Sequence, residues 1–346
     1  MQDIFTELEK WLERGQPFAL ATVTKTWGSA PRGVGSGMAI TEDMQVIGSV
    51  SGGCIEGEVI ATAKQVLASG APQLLNFGVS DETAWSVGLS CGGKVNVFVE
   101  KHPAFSENPL SREAWEAAHT ALSHKQPAIL LTKLDPEKHA HLLVFPDGKT
   151  FGDGEHFPEH ALQIALEAYE KRQSRQLDID GEPVFVQVFP RKDRLIIIGA
   201  AHISIPLVKL AKELDFEVIA IDPRRVFATP ERFATPPDQM FDEWPQEVLP
   251  KFDLSEDDYA VLLTHDPKID DPALHIFLKS DVAYIGALGS RKTHAKRVQR
   301  LREAGFSEKE IARIFGPVGL NIGAKTPVEI ALSILAQIIE VRNKTR

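Results

Sequence analysis

Two cysteines stand among 346 residues, and each borders a glycine pair: Gly52-Gly53-Cys54 and Cys91-Gly92-Gly93. A thiolate is a nucleophile, a soft metal ligand and a transient carrier of sulfur. Cys54 lies at or near the start of a segment, 55–68, that reads as a helix, and a helix N-terminus favours the ionised thiol. Around it, glycine occupies positions 28, 33, 35, 37, 48, 52, 53 and 57. Such a density calls for positive φ or for close approach of the backbone to another group. One reading is two tight turns with small buried thiols, the usual fate of free cysteine. The sharper reading is that both turns face one cleft.

Other residue types with chemical potential are spread along the chain. His139, His141, His156 and His160 show no metal-ligand spacing tied to other ligands and read as surface or strand-end histidines. His265 with Asp266, Asp270 and Asp271 suggests a metal, but Asp-Pro occurs twice there, so turn and cap duty explains the acids more simply. Gly286, Gly289, Ser290 and Arg291 can hold an anion through backbone N–H groups and a guanidinium. The alternative there is a solvated helix start with Lys292, Lys296, Arg297 and Arg300 on its outer face.

The elements that must position these residues follow from periodicity. Helical spacing of Ile4, Phe5, Leu8, Trp11 and Leu12 predicts a helix over 3–14. Strands are expected at 18–24, 73–77 and 94–100, with a hairpin over 38–41 and 45–50. Residues 101–190 are less informative: helices at 115–122 and 156–172, strands at 128–134, 141–145 and 183–189. At Arg191 the character changes. Leu195–Ile198 is a continuous apolar run, as expected of a strand buried on both faces. It leads into Gly199-Ala200-Ala201-His202-Ile203-Ser204, a helix to Leu214, a second run at 217–221, and then Asp222. That is the layout of a dinucleotide fold, with an acid placed to hold a ribose. A methyl group at Ala201, where the central glycine of the usual motif lets a pyrophosphate approach, weighs against nicotinamide binding. Strands at 259–263 and 282–285 continue the pattern, and Thr326-Pro327-Val328-Glu329 is a capping box opening a helix. The fold expected is α/β: an N-terminal α/β domain with Gly/Cys-rich loops over 1–190, its motifs in 18–100, and a C-terminal Rossmann-like parallel-sheet domain over 191–346.

Bulk properties exclude several classes. A formal charge of −10 argues against general nucleic-acid binding. No segment approaches the ~18 consecutive apolar residues of a membrane span, and the acidic, amphipathic N-terminus has no signal-peptide layout. Two cysteines cannot build a disulfide framework, so a reduced, cytoplasmic protein is expected. No GxxxxGK[ST] is present to support a nucleotide-dependent transferase.

Ordered motifs go further. GSAPRGVGSGM (28–38), GSVSGGCIEGEV (48–59), LSCGGKVNVFVE (89–100), IIIGAAHIS (196–204), IDPRRVFATPERF (221–233), LTHDPKIDDPAL (263–274), YIGALGSRKTHAKR (284–297) and GPVGLNIGAKTPVEIALSI (316–334) together resemble the XdhC/CoxI family of xanthine dehydrogenase accessory factors. The resemblance implies a molybdenum cofactor-binding protein that acts in sulfuration and insertion of the cofactor, more a chaperone than a catalyst. It implies a xanthine dehydrogenase-type molybdoenzyme and a cysteine desulfurase as partners; separately, the apolar C-terminal helix permits a homodimer without requiring one. Carried onto this chain, cofactor contacts are expected at Ser29, Arg32, Gly52, Gly53, Cys54, Glu56, Cys91, Gly92, Gly199, His202, Asp222, His265, Gly289, Ser290 and Arg291, with Cys54 or Cys91 on molybdenum. An interdomain cleft would shield an oxidation-sensitive Mo–S group. The alternative function is an NAD(P)-dependent oxidoreductase.

Overall fold

In a computed structural model, residues 4–28, 30–53, 55–78, 94–124 and 126–345 are described. They belong to two compact units, Met1–Pro190 and Arg191–Arg346.

The first unit is one arrangement used twice. Helix α1 (Phe5–Glu13) leads to β1 (Phe18–Trp27), β2 (Gly37–Thr41), β3 (Val46–Gly48), α2 (Glu56–Ser69), β4 (Gln73–Phe77) and β5 (Lys94–Lys101). The same order recurs as α3 (Pro109–Ser123), β6 (Ala128–Lys133), β7 (His141–Val144), β8 (Thr150–Gly152), α4 (Ala161–Glu170), β9 (Arg175–Ile179) and β10 (Glu182–Phe189). The first sheet runs β3-β2-β1-β5-β4 and the second β8-β7-β6-β10-β9, both antiparallel throughout. Alternating side chains divide the burial, as a period of two requires. Phe18 and Leu20 of one sheet and Ala128, Leu130 and Phe189 of the other meet α1 and α3 through Leu8, Trp11, Trp115 and Ala118. The opposite faces are covered by α2 over Ala19, Ala21, Val97 and Val99, and by α4 over Ile129, Leu131, Val184 and Val186.

The strands expected at 73–77 and 94–100 are present. The helix expected over 156–172 begins later, at Ala161, because residues 154–156 form a short 3-10 turn and Pro158 follows it. The helix expected at 115–122 begins earlier, because Asn108 caps it by accepting from Leu110 and Ser111 N–H with Pro109 at its first position. Strands β8 and β9 lie where none was expected.

The second unit is a six-stranded parallel sheet. It comprises β11 (Arg194–Ile198), α5 (Ser204–Glu213), β12 (Glu217–Ile221), β13 (Gln239–Phe241), α6 (Pro245–Val248), β14 (Asp258–Leu262), α7 (Pro267–Leu278), β15 (Tyr284–Ala287), α8 (Arg291–Glu303), α9 (Glu308–Ile311), β16 (Ile314–Phe315) and α10 (Pro327–Thr345). The strand order is β13-β12-β11-β14-β15-β16, the doubly wound Rossmann arrangement, whose reversal lies between β11 and β14. Helices cover both faces, which is why the central strands are apolar without alternation. The capping box at Thr326 forms: Glu329 N–H donates to Thr326 Oγ1, and Thr326 N–H to Glu329 Oε2.

Candidate functional site

Three glycine-bearing segments of the first unit leave the same end of one sheet. The antiparallel pairs Trp27–Lys94 and Phe77–Val95 put the end of β1, the start of β5 and the end of β4 side by side. The pair Met38–Gly48 brings the start of β2 and the end of β3 to that end too. The chain therefore leaves β1, β3 and β4 at that end, and re-enters β2 and β5 there. Cys54, Ser29, Cys91 and Gly92, predicted to contact a cofactor, lie outside the described residues.

Within 49–56 the organising group is Glu56, at the first turn of α2. Its carboxylate accepts from Ser49 Oγ at 2.7 Å and Ser51 Oγ at 2.6 Å, and from the backbone N–H groups of Ser51, Gly52 and Gly53 at 2.9, 3.0 and 2.9 Å. Burial works against ionisation, but the hydroxyl and backbone donors of Ser51 and Ser49 outweigh it and hold the carboxyl at about 2. Successive N–H groups of this kind form an anion-binding concavity, and here the chain's own carboxylate occupies it. Gly52 and Gly53 have φ of +86° and +126°, and both are exposed. Arg32 Nε donates to the Ser49 carbonyl at 3.1 Å, tying 28–36 to 49–56. Arg32, Gly52, Gly53 and Glu56, singled out in the sequence, are thus brought together.

In the second unit the tips of β11, β14 and β15 form the crevice where open α/β sheets bind ligands. Gly199 has φ of +104°, and a Cβ there would stand 2.7 Å from Thr264 Cγ2. Asp222, fully buried, accepts from Ala200 N–H and Arg224 Nη2 on one oxygen and from Arg224 N–H and Nε on the other. As placed, its lone pairs are committed to the turn and leave none for a ribose hydroxyl. Ser204 Oγ donates to the Gly199 carbonyl, and His202 is exposed.

Beyond β14 and β15, a cavity of about 250 Å³ is lined by His265, Asp270, Lys292, Lys296, Arg297 and Arg300. Asp266 caps α7, as the turn-and-cap reading of these acids has it, and Asp271 pairs with Arg300. Asp270 differs: burial pushes its carboxyl up to about 6 against the Thr264 hydroxyl and Arg297. His265 is held below the usual imidazole range by burial and by Arg297.

Ser290 caps α8 and Arg291 is exposed. The cation turned inward is Arg297, 2% exposed, whose Nη2 donates to the Leu288 carbonyl. The expected solvated face of α8 therefore fails at this residue. No periodicity marked it, since nearly every face of α8 carries a basic residue.

The histidines need a larger correction. His156 and His160 are exposed, but His141 is fully buried and His139 mostly so, and both face Glu100 of β5. Burial keeps His141 below the usual imidazole range. It opposes charge on Glu100 as well, but there the facing imidazoles, when protonated, prevail and hold the carboxyl well below its usual range. The signal available was His-x-His running into a strand: residues two apart on extended backbone share a face.

Two family models match the chain: "XdhC and CoxI family" over residues 11–78 and "XdhC Rossmann domain" over residues 195–338. The chain is 28% identical, over 99% of both sequences, to a Bacillus subtilis (strain 168) protein named as a probable xanthine dehydrogenase subunit. It is 26% identical to the Escherichia coli (strain K12) molybdenum cofactor insertion chaperone PaoD, over 96% of this chain and 85% of PaoD. A crystal structure titled a xanthine dehydrogenase, from Bacillus halodurans, superposes with a TM-score of 0.77 at 27% identity, covering 99% of this chain and 96% of that one. No described helix is long and apolar enough to cross a membrane.

Proposed function

The chain belongs to the XdhC and CoxI family, and from that premise we propose that it is a molybdenum cofactor-binding accessory protein for a xanthine dehydrogenase-type enzyme. In this reading it holds the cofactor in the cytoplasm while a cysteine desulfurase supplies the terminal sulfur, then passes the cofactor to the apo-enzyme. Residues 1–190 carry the cofactor and 191–346 form the Rossmann-like partner domain. The name of PaoD and that of the Bacillus subtilis relative support this assignment.

The observation that carries it is the convergence of the three glycine-bearing segments at one sheet end, two of which hold the cysteines. The residues fit such a group. Gly52 and Gly53 expose backbone without a side chain over it, Arg32 offers a cation for the phosphate, and Cys54 or Cys91 supplies a thiolate for molybdenum. The cofactor, when bound, supplies the Mo centre that receives sulfur. Glu56 holds the loop's shape, and its own charge keeps the concavity from taking a second anion, so the phosphate falls to Arg32. Nicotinamide oxidoreduction is disfavoured by Ala201 and by the committed carboxylate of Asp222.

The test is anaerobic binding of cofactor released from a donor molybdoenzyme, to wild type, Cys54→Ala and Cys91→Ala. Stoichiometric binding to wild type that is lost in one cysteine variant is the expected result. Absence of binding to wild type would overturn the proposal.

A further inference from the structure

Three lone-pair-bearing atoms converge inside the first unit. His139 Nε2 lies 2.9 Å and His141 Nε2 3.0 Å from the same oxygen, Glu100 Oε2. All three atoms lie within 4.8 Å of one another.

The tautomers follow from the other ring nitrogens. His139 Nδ1 is 3.0 Å from the Lys133 carbonyl, which can only accept, so Nδ1 carries the hydrogen. His141 Nδ1 is 3.1 Å from Ser111 Oγ. That hydroxyl spends its one hydrogen on Asp153 Oδ2 at 2.9 Å, so His141 Nδ1 donates as well. Both neutral rings therefore turn an unprotonated Nε2 toward a carboxylate.

Three acceptors facing one another need a cation between them. One proton on His139 satisfies the His139–Glu100 contact but leaves the fully buried His141 Nε2 facing the same Glu100 oxygen lone pair to lone pair. Leaving a buried polar atom unsatisfied costs on the order of 1–3 kcal/mol.

We propose that Glu100, His139 and His141 form a binding site for a divalent first-row transition metal, with Zn2+ the ion the site suits. Two imidazoles and a carboxylate are a known zinc donor set. Bonds of about 2.0–2.2 Å place tetrahedral ligand atoms roughly 3.3–3.6 Å apart, so the two contacts to Glu100 need to open by only a few tenths of an ångström, and the two imidazole nitrogens already lie within 4.8 Å of each other. The outer partners are those a metal site requires: a backbone carbonyl on one histidine and the Ser111–Asp153 pair on the other fix ring orientation and tautomer. Asp153 is itself anchored by Asn108 Nδ2 and by His141 N–H. A cavity of about 420 Å³ is lined by the same three residues together with Lys101, Ser106 and Ser69. A fourth ligand, water or a small anion, enters from there. The site is independent of the cofactor role proposed above and uses none of its residues.

The experiment loads the full chain with Zn2+, dialyses it, and measures metal content and affinity for wild type, His139→Ala, Glu100→Gln and Ser111→Ala. Cobalt(II) substitution supplies the spectroscopic readout. The expected result is one zinc per wild-type chain. Affinity falls by about 100-fold or more in His139→Ala and Glu100→Gln, and by roughly 10–100-fold in Ser111→Ala. The Co2+ form shows visible d–d bands without a thiolate-to-cobalt band in the near ultraviolet. His139 is partly exposed and Glu100→Gln is isosteric, so circular dichroism spectra matching wild type are expected for both. Failure of wild type to retain stoichiometric zinc would overturn the proposal. So would zinc retained equally by both ligand variants, or a thiolate band placing the metal on the cysteines.

Discussion

The two halves of the first unit share a frame and differ in what hangs from it. Register makes the correspondence explicit. Thr22 pairs with Gly37 as Thr132 pairs with His141, and Leu20 pairs with Glu100 as Leu130 pairs with Gln187. Gly35 and Gly37 of one half thus occupy the places of His139 and His141 in the other. The cross-contacts match too: Glu100 meets the two histidines, and Gln187 Nε2 donates to the Gly35 carbonyl at 3.4 Å. One place holds three facing acceptors, and its counterpart holds a neutral amide and bare backbone. The loops diverge likewise. Residues 78–93 join β4 to β5, whereas Asp180-Gly181 alone join β9 to β10, both with positive φ as a two-residue hairpin requires. The duplicated frame therefore positions two unlike chemistries, a glycine-rich loop set in one half and a buried histidine pair in the other.

The largest effects are expected where the frame itself is tested. Gly48 and Gly152 end β3 and β8, with φ of +77° and +102°. A Cβ at Gly48 would stand 2.3 Å from the Gly37 carbonyl oxygen, and one at Gly152 2.5 Å from that of His141. The nearest obstructing atom is backbone in both cases. Gly48→Ala and Gly152→Ala should each cost on the order of 2–4 kcal/mol in urea unfolding, from left-handed strain plus overpacking. If one were neutral, the equivalence of the halves would be broken.

Much of this frame was legible in the chain. The strands at 73–77 and 217–221 announce themselves by apolar runs bounded by turn residues, and the Rossmann half by its Gly turn and acid. The duplication was not. Strand β9, Arg-Gln-Leu-Asp-Ile, has polar residues at three of its five positions and shows little alternation. The Glu100–histidine cluster escaped because it joins a strand of one half to the loop and strand of the other, 39 residues apart between Glu100 and His139. Local pattern carries no information about which strand faces which loop. For the same reason Glu56 was legible as a motif residue, but its use as an internal anion was not.

A middle-sized effect belongs to Glu56. Its folded-state carboxyl is depressed to about 2, so its contribution to stability is present above the unfolded value near 4.5 and is lost as pH falls toward about 2. Glu56→Gln should cost roughly 1 kcal/mol at neutral pH, modest because the group is half-exposed and solvent screens it. The wild-type-minus-variant difference should shrink on acidification below about 4.5, as read from urea midpoints between pH 7 and 3. A difference that stayed constant with pH would mean that the loop is held by packing rather than by the carboxylate.

The smallest stability effects sharpen the contrast between the loops. Gly53 in one half and Gly181 in the other have φ of +126° and +84°, and a Cβ at either would meet nothing within 4 Å. Backbone strain is then the main cost, about 1 kcal/mol for Gly181→Ala and somewhat more for Gly53→Ala, whose φ lies beyond the left-handed region that other residues tolerate. Cofactor affinity should separate them. Gly53 is exposed beside Cys54, in the segment proposed to hold the cofactor, whereas the hairpin at Gly181 belongs to the half without glycine-rich loops. Measured side by side, Gly53→Ala should weaken cofactor binding at least several-fold while Gly181→Ala leaves it at the wild-type value. Equal affinities would move the cofactor away from Gly52-Gly53 and toward the segment carrying Cys91.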